Sequence, residues 1–315
     1  MPAGSHGAAI LIALAIAAPN LVWQAENGWP FLAHGAELAA HKNIPLSPVA
    51  FIGQEMLTFG PASAPIWVAG LVAFAFWPRF AHLRWVAISW ASLIAATIAA
   101  HGKPYYPAGA YPLLMAGGAV ALEAWLPRFG QAALAAFVLA GAALTAPLVM
   151  PVLPIETFIA YQRWLGLQPS TGERIKLGVL PQYFADMFGW PELAGAVGAA
   201  YQALPPQDRE RAVFFGRNYG EAAAVDVFGE PFRLPPAISA HESYFLWGPR
   251  GHDGSVMLIL GGTRDGLLKR FRSVEPVGRL DNPLGMPEES ANTLWLCRDS
   301  LEPLEQAWPS LRHFD

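Results

Sequence analysis

The sequence contains a single cysteine, Cys297, among its 315 residues. One cysteine excludes an intramolecular disulfide, although it does not decide the compartment, because many exported bacterial domains have no disulfide. The sequence also lacks the Cys/His spacing of a zinc site and the Gly-Lys-Ser/Thr loop that surrounds nucleotide phosphates. With a formal net charge of −4 there is no basic excess, so nucleic acid is not an expected partner.

Charged residues are scarce in the first half of the chain. Only 9 of the 44 charged side chains lie before residue 155. Such a composition is typical of membrane segments, whereas the remaining residues have the charge density of a soluble domain. We therefore expect a transmembrane helical domain at 1–154 and an extracytoplasmic α/β domain at 155–315.

Apolar stretches in the first half predict about five transmembrane helices, at roughly 8–23, 61–77, 85–100, 106–125 and 131–153. The first stretch is short for a span. A signal peptide is the alternative, but no Lys or Arg precedes the apolar run, and we interpret the stretch as a helix whose beginning is missing from the sequence. Ser47-Pro48 predicts a helix start, with the serine as N-cap.

The basic residues between the predicted spans indicate the orientation in the membrane. Arg79, Arg84 and Arg128 lie in two loops that the positive-inside rule places in the cytoplasm. The loops on the other side, and the whole second domain, then lie outside a bacterial inner membrane. Lys42 and Lys103 are exceptions to the rule on this outer side.

The polar segment 101–112 lies between two of the predicted spans and carries the main candidate site. Lys103, with Tyr105 and Tyr106, offers a cation and hydroxyl donors that suit a phosphate at the membrane surface. His101 and Tyr111 are possible supporting residues. The alternative is an interfacial belt with a snorkelling lysine.

Glu55 is a further candidate, because a carboxylate at membrane depth is costly. The alternative is a carboxylate that lies near the interface and is solvated.

The second half alternates predicted strands with predicted helices, which favours a small α/β layer with a mixed or parallel sheet. The strands are expected at 211–215, 255–260, 274–279 and 293–297, and the helices at 183–204, 221–228 and 264–271. The turn Gly216–Gly220 could bind an anion at a helix N-terminus, but a tight strand-to-helix turn is the simpler use of its glycines.

Aromatic and polar residues are concentrated in the segment 239–250, which we expect to be a loop. Such a group would suit contacts to a sugar, an acceptor or a lipid headgroup, and packing against the sheet or the membrane is the alternative. The residues are His241, Glu242, Tyr244, Trp247 and Arg250.

Several runs along the chain resemble bacterial family 39 glycosyltransferases, polytopic enzymes akin to protein mannosyltransferases and to the aminoarabinose transferases that act on lipid A. The runs are Asn20-Leu-Val-Trp-Gln24, Asn27-Gly-Trp-Pro30, Ser47-Pro48 with Gly53-Gln54, Gly102-Lys-Pro-Tyr-Tyr106 with Ala110-Tyr-Pro112, Leu180-Pro-Gln-Tyr-Phe-Ala-Asp-Met-Phe-Gly-Trp190, Asn218-Tyr-Gly-Glu-Ala222, Leu234-Pro-Pro-Ala-Ile238 and Trp247-Gly-Pro-Arg250. The resemblance spans nearly the whole chain.

The resemblance implies a polyprenyl-phosphate-linked sugar donor in the bilayer and an acceptor outside the cell membrane. It places Lys103 where a cation would stabilise the leaving phosphate. In the family, an acidic residue of the first outer loop serves as the catalytic base or as a carboxylate associated with a divalent metal. We expect that loop to be missing here, since Glu26, Glu37 and Glu55 do not match its motif. The resemblance thus implies the C-terminal part of such an enzyme, without transfer activity or a cofactor of its own.

Two other classes of function compete with this interpretation. The first is a non-catalytic membrane protein whose periplasmic domain binds a partner or a glycan. The second is a transporter, suggested by several spans and Glu55, but no internal repeat supports it.

Overall fold

Helices fill the first two hundred residues, and the strands follow them. The structure is a computed structural model that describes residues 3–287 and 292–314. Its α-helices are α1 Ala3–Glu26, α2 Pro30–Glu37, α3 Pro48–Thr58, α4 Ala64–Phe76, α5 Arg84–Ala99, α6 Tyr111–Trp125, α7 Arg128–Val149, α8 Ile155–Trp164, α9 Gln182–Ala185, α10 Trp190–Gln202, α11 Pro206–Arg209, α12 Tyr219–Phe228, α13 Arg264–Leu267 and α14 Leu304–Leu311. Its strands are β1 Ala212–Phe215, β2 Val256–Leu260, β3 Phe271–Leu280 and β4 Asn292–Ser300.

The chain forms two compact units. One, here called the sheet unit, comprises Met1–His41 and Ala185–Asp315; the other, the helical unit, comprises Lys42–Phe184. Residues 155–184, which we assigned to the second domain, are thus grouped with the membrane-like helices.

Two helices among the described residues are long and apolar enough to cross a membrane, Pro78–Ala99 and Arg128–Val149. Two bent pairs would bring this number to four if each made one span, namely Ile10–Glu26 with Pro30–Lys42, bent by 68°, and Pro48–Thr58 with Pro61–Phe76, bent by 98°. The predicted number of five is not confirmed. The span expected at 106–125 corresponds to α6, whose 15 residues are fewer than the ~20 that a bilayer requires.

The helical unit is held together by close contact between α4 and α6. Gly70 and Gly118 face each other's helix so tightly that a Cβ atom on either would overlap the backbone carbonyl of Leu114 or Ile66. Small residues are what allow two helix backbones to approach in this way. The buried core beside this contact consists of Trp67, Phe74, Val86, Tyr111 and Leu114.

The sheet unit contains a mixed sheet with the strand order β1-β2-β4-β3. β1 and β2 are parallel, and the other two pairs are antiparallel, which agrees with the predicted mixed sheet. Side chains alternate along the strands, so Phe214 and Leu258 join one core that includes α10 and α12, while Val213 and Met257 join a second core that includes α14.

Two predicted helices differ from the structure. The helix expected at 183–204 is divided into α9 and α10, because Gly189 takes a left-handed φ of +98° immediately before Trp190-Pro191 restarts the helix. The helix expected at 264–271 is a single turn, α13, and Phe271 already belongs to β3. Pairing with β4 from Phe271 onward explains the early end of the helix.

Candidate functional site: a carboxylate between two lysines

The segment 101–112 folds as a compact loop between α5 and α6. His101 takes a left-handed φ of +50°, and the amide of Gly102 donates a hydrogen bond to the Thr97 carbonyl at 2.8 Å. A Cβ atom on Gly102 would collide with Thr97 and touch the Tyr106 ring, which explains the glycine before the lysine. The segment ends in a 3-10 turn, Tyr106–Ala110, that leads into α6.

Lys103 forms an ion pair with the carboxylate of Glu173, a residue that lies 70 positions further along the chain. The Lys42 Nζ lies 3.7 Å from the other oxygen of the same carboxylate. The Glu173 side chain is 6% exposed, and those of Lys103 and Lys42 are 14% and 33% exposed. Lys42 and Lys103, the two lysines noted above as exceptions to the expected orientation, therefore meet at one buried carboxylate.

Backbone and amide contacts fix the position of Glu173. Gln182 donates a hydrogen bond to Glu173 Oε2 at 3.2 Å, and the Thr171 hydroxyl donates to Gln182 Oε1 at 2.7 Å. Asn43 and Glu173 form an isolated antiparallel bridge. The Asn43 side chain donates to the His101 carbonyl at 2.9 Å, so the bridge also joins the loop of Lys103.

Electrostatics keep both members of the ion pair charged. Burial raises the pKa of the Glu173 carboxyl, but the Lys103 hydrogen bond and the charges of Lys42 and Lys103 outweigh burial, and the pKa lies below its ordinary value. Burial lowers the pKa of the Lys103 ammonium, but Glu173 outweighs that effect, and this pKa lies above its ordinary value. Glu173 is accordingly poorly suited to serve as a general base near neutral pH.

Tyr105 and Tyr106 lie beside the lysines and are about half exposed, at 51% and 47%. The Lys103 ammonium lies 5.9 Å from the centre of the Tyr105 ring. A small open crevice adjoins Lys103, and its lining residues are Asn43, Ile44, Leu46, Gln54, Gly102, Lys103, Pro104, Thr171 and Gly172. The group of Lys103, Tyr105 and Tyr106 expected from the sequence is therefore assembled, with its tyrosines accessible.

Glu55 and Tyr111 lie in a separate buried cluster. Glu55 is fully buried, and its carboxylate approaches the Tyr111 hydroxyl, which the Trp90 indole approaches in turn. None of these polar atoms reaches the geometry of a full hydrogen bond. The alternative that Glu55 is a solvated carboxylate is therefore wrong. Neither Glu55 nor Tyr111 contacts the ion pair of Lys103 with Glu173.

His241 and Glu242, expected to contact an acceptor, occupy the interior and edge of the sheet unit. His241 is buried, accepts a hydrogen bond from the Tyr219 amide at 3.1 Å, and is stacked between the rings of Tyr219 and His313. Glu242 Oε1 lies 3.4 Å from Nδ1 of His34. For His241, these contacts favour the alternative that its segment packs within the fold rather than contacting a ligand.

Tyr244, Trp247 and Arg250 form a second, more accessible cluster on a 3-10 turn, Glu242–Trp247, and the loop after it. The Arg250 guanidinium lies 4.8 Å from the centre of the Trp247 ring and 3.7 Å from Asp226. Tyr244 donates to the same carboxylate at 3.0 Å, and burial together with Asp226 raises the pKa of Tyr244 to about 12. Trp247 is 57% exposed, so this face can contact a ligand.

The turn Gly216–Gly220 serves the tight packing of β1 against α12. A Cβ atom on Gly216 would lie 2.6 Å from the Ala222 amide nitrogen. The Asn218 side chain caps α12 by accepting from the Glu221 amide at 2.8 Å. These contacts support the structural use of the turn.

Sequence reasoning missed Glu173 and Asp226, the carboxylates around which the two accessible clusters form. Neither residue belongs to a recognisable motif. Only their charge could have indicated them. Each is an acidic residue that could pair with basic or phenolic side chains already named as candidates in the sequence analysis.

No protein-family model, curated protein or solved structure matches the chain. Among the residues that the structure describes, no group of three His, Cys, Asp or Glu side chains could hold a metal ion. The metal that the family resemblance implies for some members therefore has no fitting ligand set in the described part of the chain, and no step is assigned to it.

Proposed function

We propose that the helical unit binds the phosphate group of a membrane lipid between Lys42 and Lys103. The observation that carries this proposal is the convergence of two lysines on a single carboxylate, which leaves one positive charge in excess. Tyr105 and Tyr106, each about half exposed, lie beside this charge and carry hydroxyl groups. Lys103 and Asn43 line the adjoining crevice, so a phosphate that entered it would meet an ammonium and an amide together.

The surface of the helices supports a location in a bilayer. α7 has no buried residue along its 22 positions, and its largest exposed side chains, Phe129, Phe137 and Leu139, are apolar. Such a surface suits lipid better than water. With Arg79, Arg84 and Arg128 in the cytoplasm, Lys42, Lys103 and the α/β part of the chain at residues 185–315 lie on the outer side of a bacterial inner membrane in this proposal.

Sugar transfer from a polyprenyl phosphate is the reaction of the family that the chain resembles, and we infer that the chain binds the donor for it rather than carrying out the transfer alone. When the bond between the sugar and the phosphate breaks, negative charge develops on the phosphate, and a nearby ammonium lowers the energy of that state. The exposed cluster of Tyr244, Trp247 and Arg250 would contact the sugar-accepting molecule, since aromatic faces beside polar groups suit carbohydrate.

The proposal is tested by titrating a polyprenyl phosphate into the full chain in nanodiscs. Lys103→Ala should weaken binding about tenfold to a hundredfold, because a hydrogen bond to a charged group contributes about 1.5–3 kcal/mol. Lys103→Arg should retain part of the affinity, since the charge remains while the geometry changes. Lys269→Ala, an exposed lysine of the sheet unit, should bind like the unmodified chain.

A second candidate function is a non-catalytic scaffold in which Glu173 and its lysines serve only as a structural clamp. The observation in its favour is that Glu173 already pairs with both lysines. The triple variant Lys42→Met, Lys103→Met and Glu173→Gln separates the two functions, because it removes all three charges and leaves no unpaired buried ion. If this folded triple variant binds the lipid phosphate as tightly as the unmodified chain, the clamp is the correct function.

A further inference from the structure

The charges that meet at Glu173 set the net charge of the proposed phosphate site. Lys42 and Lys103 contribute two positive charges, and Glu173 contributes one negative charge. Neutral side chains lie beside this carboxylate and its lysines, namely the amide of Gln182, the hydroxyl of Thr171 and the phenols of Tyr105 and Tyr106. The cluster of Glu173 with its two lysines therefore carries one positive charge in excess, and the exposed Arg174 beside it lies outside this cluster.

Lipid phosphates come with two different charges. A phosphodiester, such as a sugar linked through phosphate to a lipid, carries one negative charge. A phosphomonoester carries about −1.5 to −2 at pH 7, because its second pKa is near 6. A site with a single excess positive charge matches the diester, and it leaves part of the monoester's charge without compensation.

We propose that Glu173 is a specificity-determining residue that makes this site select lipid phosphodiesters over lipid phosphomonoesters. The inference rests on the proposed function and adds the class of phosphate that is bound. The Glu173 carboxylate neutralises one of the two ammonium charges. A second negative charge on the ligand is then not balanced by a positive charge of this cluster. The burial of Glu173 and its hydrogen bond from Gln182 keep it in place between the two lysines.

This selectivity has a direct consequence for the transfer reaction. The bond between the sugar's anomeric carbon and the phosphate oxygen breaks, and its electron pair stays on that oxygen. The acceptor oxygen bonds to the same carbon and loses its proton to water. The lipid thus changes from a diester to a monoester with an additional negative charge, which the site binds less well, and the product leaves.

The test compares two lipids of equal chain length with the full chain in nanodiscs at pH 7.5. One is a polyprenyl-phosphate hexose, and the other is the corresponding polyprenyl phosphate. Glu173→Gln should strengthen monoester binding on the order of tenfold, since it frees one positive charge near the phosphate, while diester binding changes by less than about threefold. Glu156→Gln, an exposed carboxylate of α8, should change neither affinity.

A charge-restoring variant guards against an effect of Glu173→Gln on folding. Lys42→Gln combined with Glu173→Gln returns the site to one excess positive charge and should recover the preference for the diester. A purely structural role of Glu173 would not produce this recovery.

The pH dependence gives an independent readout. Between pH 5 and pH 7 the monoester acquires its second charge, whereas Glu173, with its lowered pKa, stays ionised. Monoester affinity of Glu173→Gln should therefore rise more steeply across this range than that of the unmodified chain.

The possible outcomes separate the two proposals. If Lys103→Ala weakens neither lipid, the proposed phosphate site fails, and the inference fails with it. If Lys103→Ala weakens binding but Glu173→Gln leaves the diester-to-monoester ratio unchanged, only the inference is overturned. Equal weakening of both lipids by Glu173→Gln also overturns it and makes Glu173 a positioning residue.

Discussion

Helix α7 and strand β2 are both apolar, but they differ in burial. All five residues of β2 are buried, whereas α7 has no buried residue, and Phe129 at its start is 84% exposed. Apolar area removed from water stabilises a fold by about 25 cal/mol per Å², so the exposed side chains of α7 contribute little to folding in water. The contrast indicates that α7 and β2 are suited to different surroundings, and it supports our proposal that α7 lies in a bilayer.

The largest effect that we predict breaks the helical unit while sparing the sheet unit. Gly118→Ala should destabilise the α4–α6 contact by about 3 kcal/mol or more, because the added methyl group meets backbone and no side chain can move aside. Gly53→Ala is the matched control, since nothing lies within 4 Å of its added Cβ atom. Hydrogen exchange of the full chain in detergent measures the effect.

Exchange should accelerate in α4 and α6 of Gly118→Ala and remain slow in β1–β4. Uniform acceleration along the chain would contradict an effect of Gly118→Ala that is confined to the α4–α6 contact.

A charged residue on each surface tests the difference in solvent directly. Leu139 in α7 is 70% exposed, and Leu301 of the sheet unit is 54% exposed. In water, lysine should be harmless at both positions, whereas in a bilayer Leu139→Lys should cost about 2.5–3.5 kcal/mol. We expect Leu139→Lys to lower the membrane-inserted fraction and Leu301→Lys to leave it unchanged; equal insertion of both variants would remove the basis of the comparison.

The smallest predicted effect concerns the pH dependence of the helical unit. The folded-state pKa of Glu173 lies below its unfolded value, so Glu173 contributes stability above about pH 4.3 that is lost as the pH falls through its folded pKa. The melting temperature in detergent should therefore fall more on acidification for the unmodified chain than for Glu173→Gln. Glu302→Gln, an exposed carboxylate of the sheet unit, should behave like the unmodified chain, and an identical acid response of Glu173→Gln would contradict the prediction.

Local patterns predict local structure well in this chain. The Ser47-Pro48 start of α3 is confirmed, with the serine hydroxyl accepting from the Ala50 amide at 3.3 Å, and the predicted strand at 255–260 lies within one residue of β2. These features depend on neighbouring residues alone. The division at Gly189 was missed because a left-handed glycine inside an apolar run looks like an ordinary helical residue until its φ is known.

Only part of the candidate site could be predicted from the sequence. Lys103, Tyr105 and Tyr106 are adjacent in the sequence, so a motif can reveal them together. The pairing of Lys103 with Glu173 depends on how the chain returns to the same place after 70 residues, and no periodicity carries that information. Glu55 shows the same limit, because its burial against Tyr111 results from helix packing rather than from its own segment.

The buried cysteine of β4 makes this protein convenient for chemical mapping. Burial raises the pKa of the Cys297 thiol to about 12, and only a thiolate reacts readily with maleimides. In the folded chain, Cys297 should therefore not react with maleimides at neutral pH, and it does not need to be replaced. A single cysteine introduced at Tyr105, Leu139 or Trp247 would be the sole reactive thiol of the folded protein, and a membrane-impermeant maleimide applied to intact cells would report which of these surfaces faces the outside.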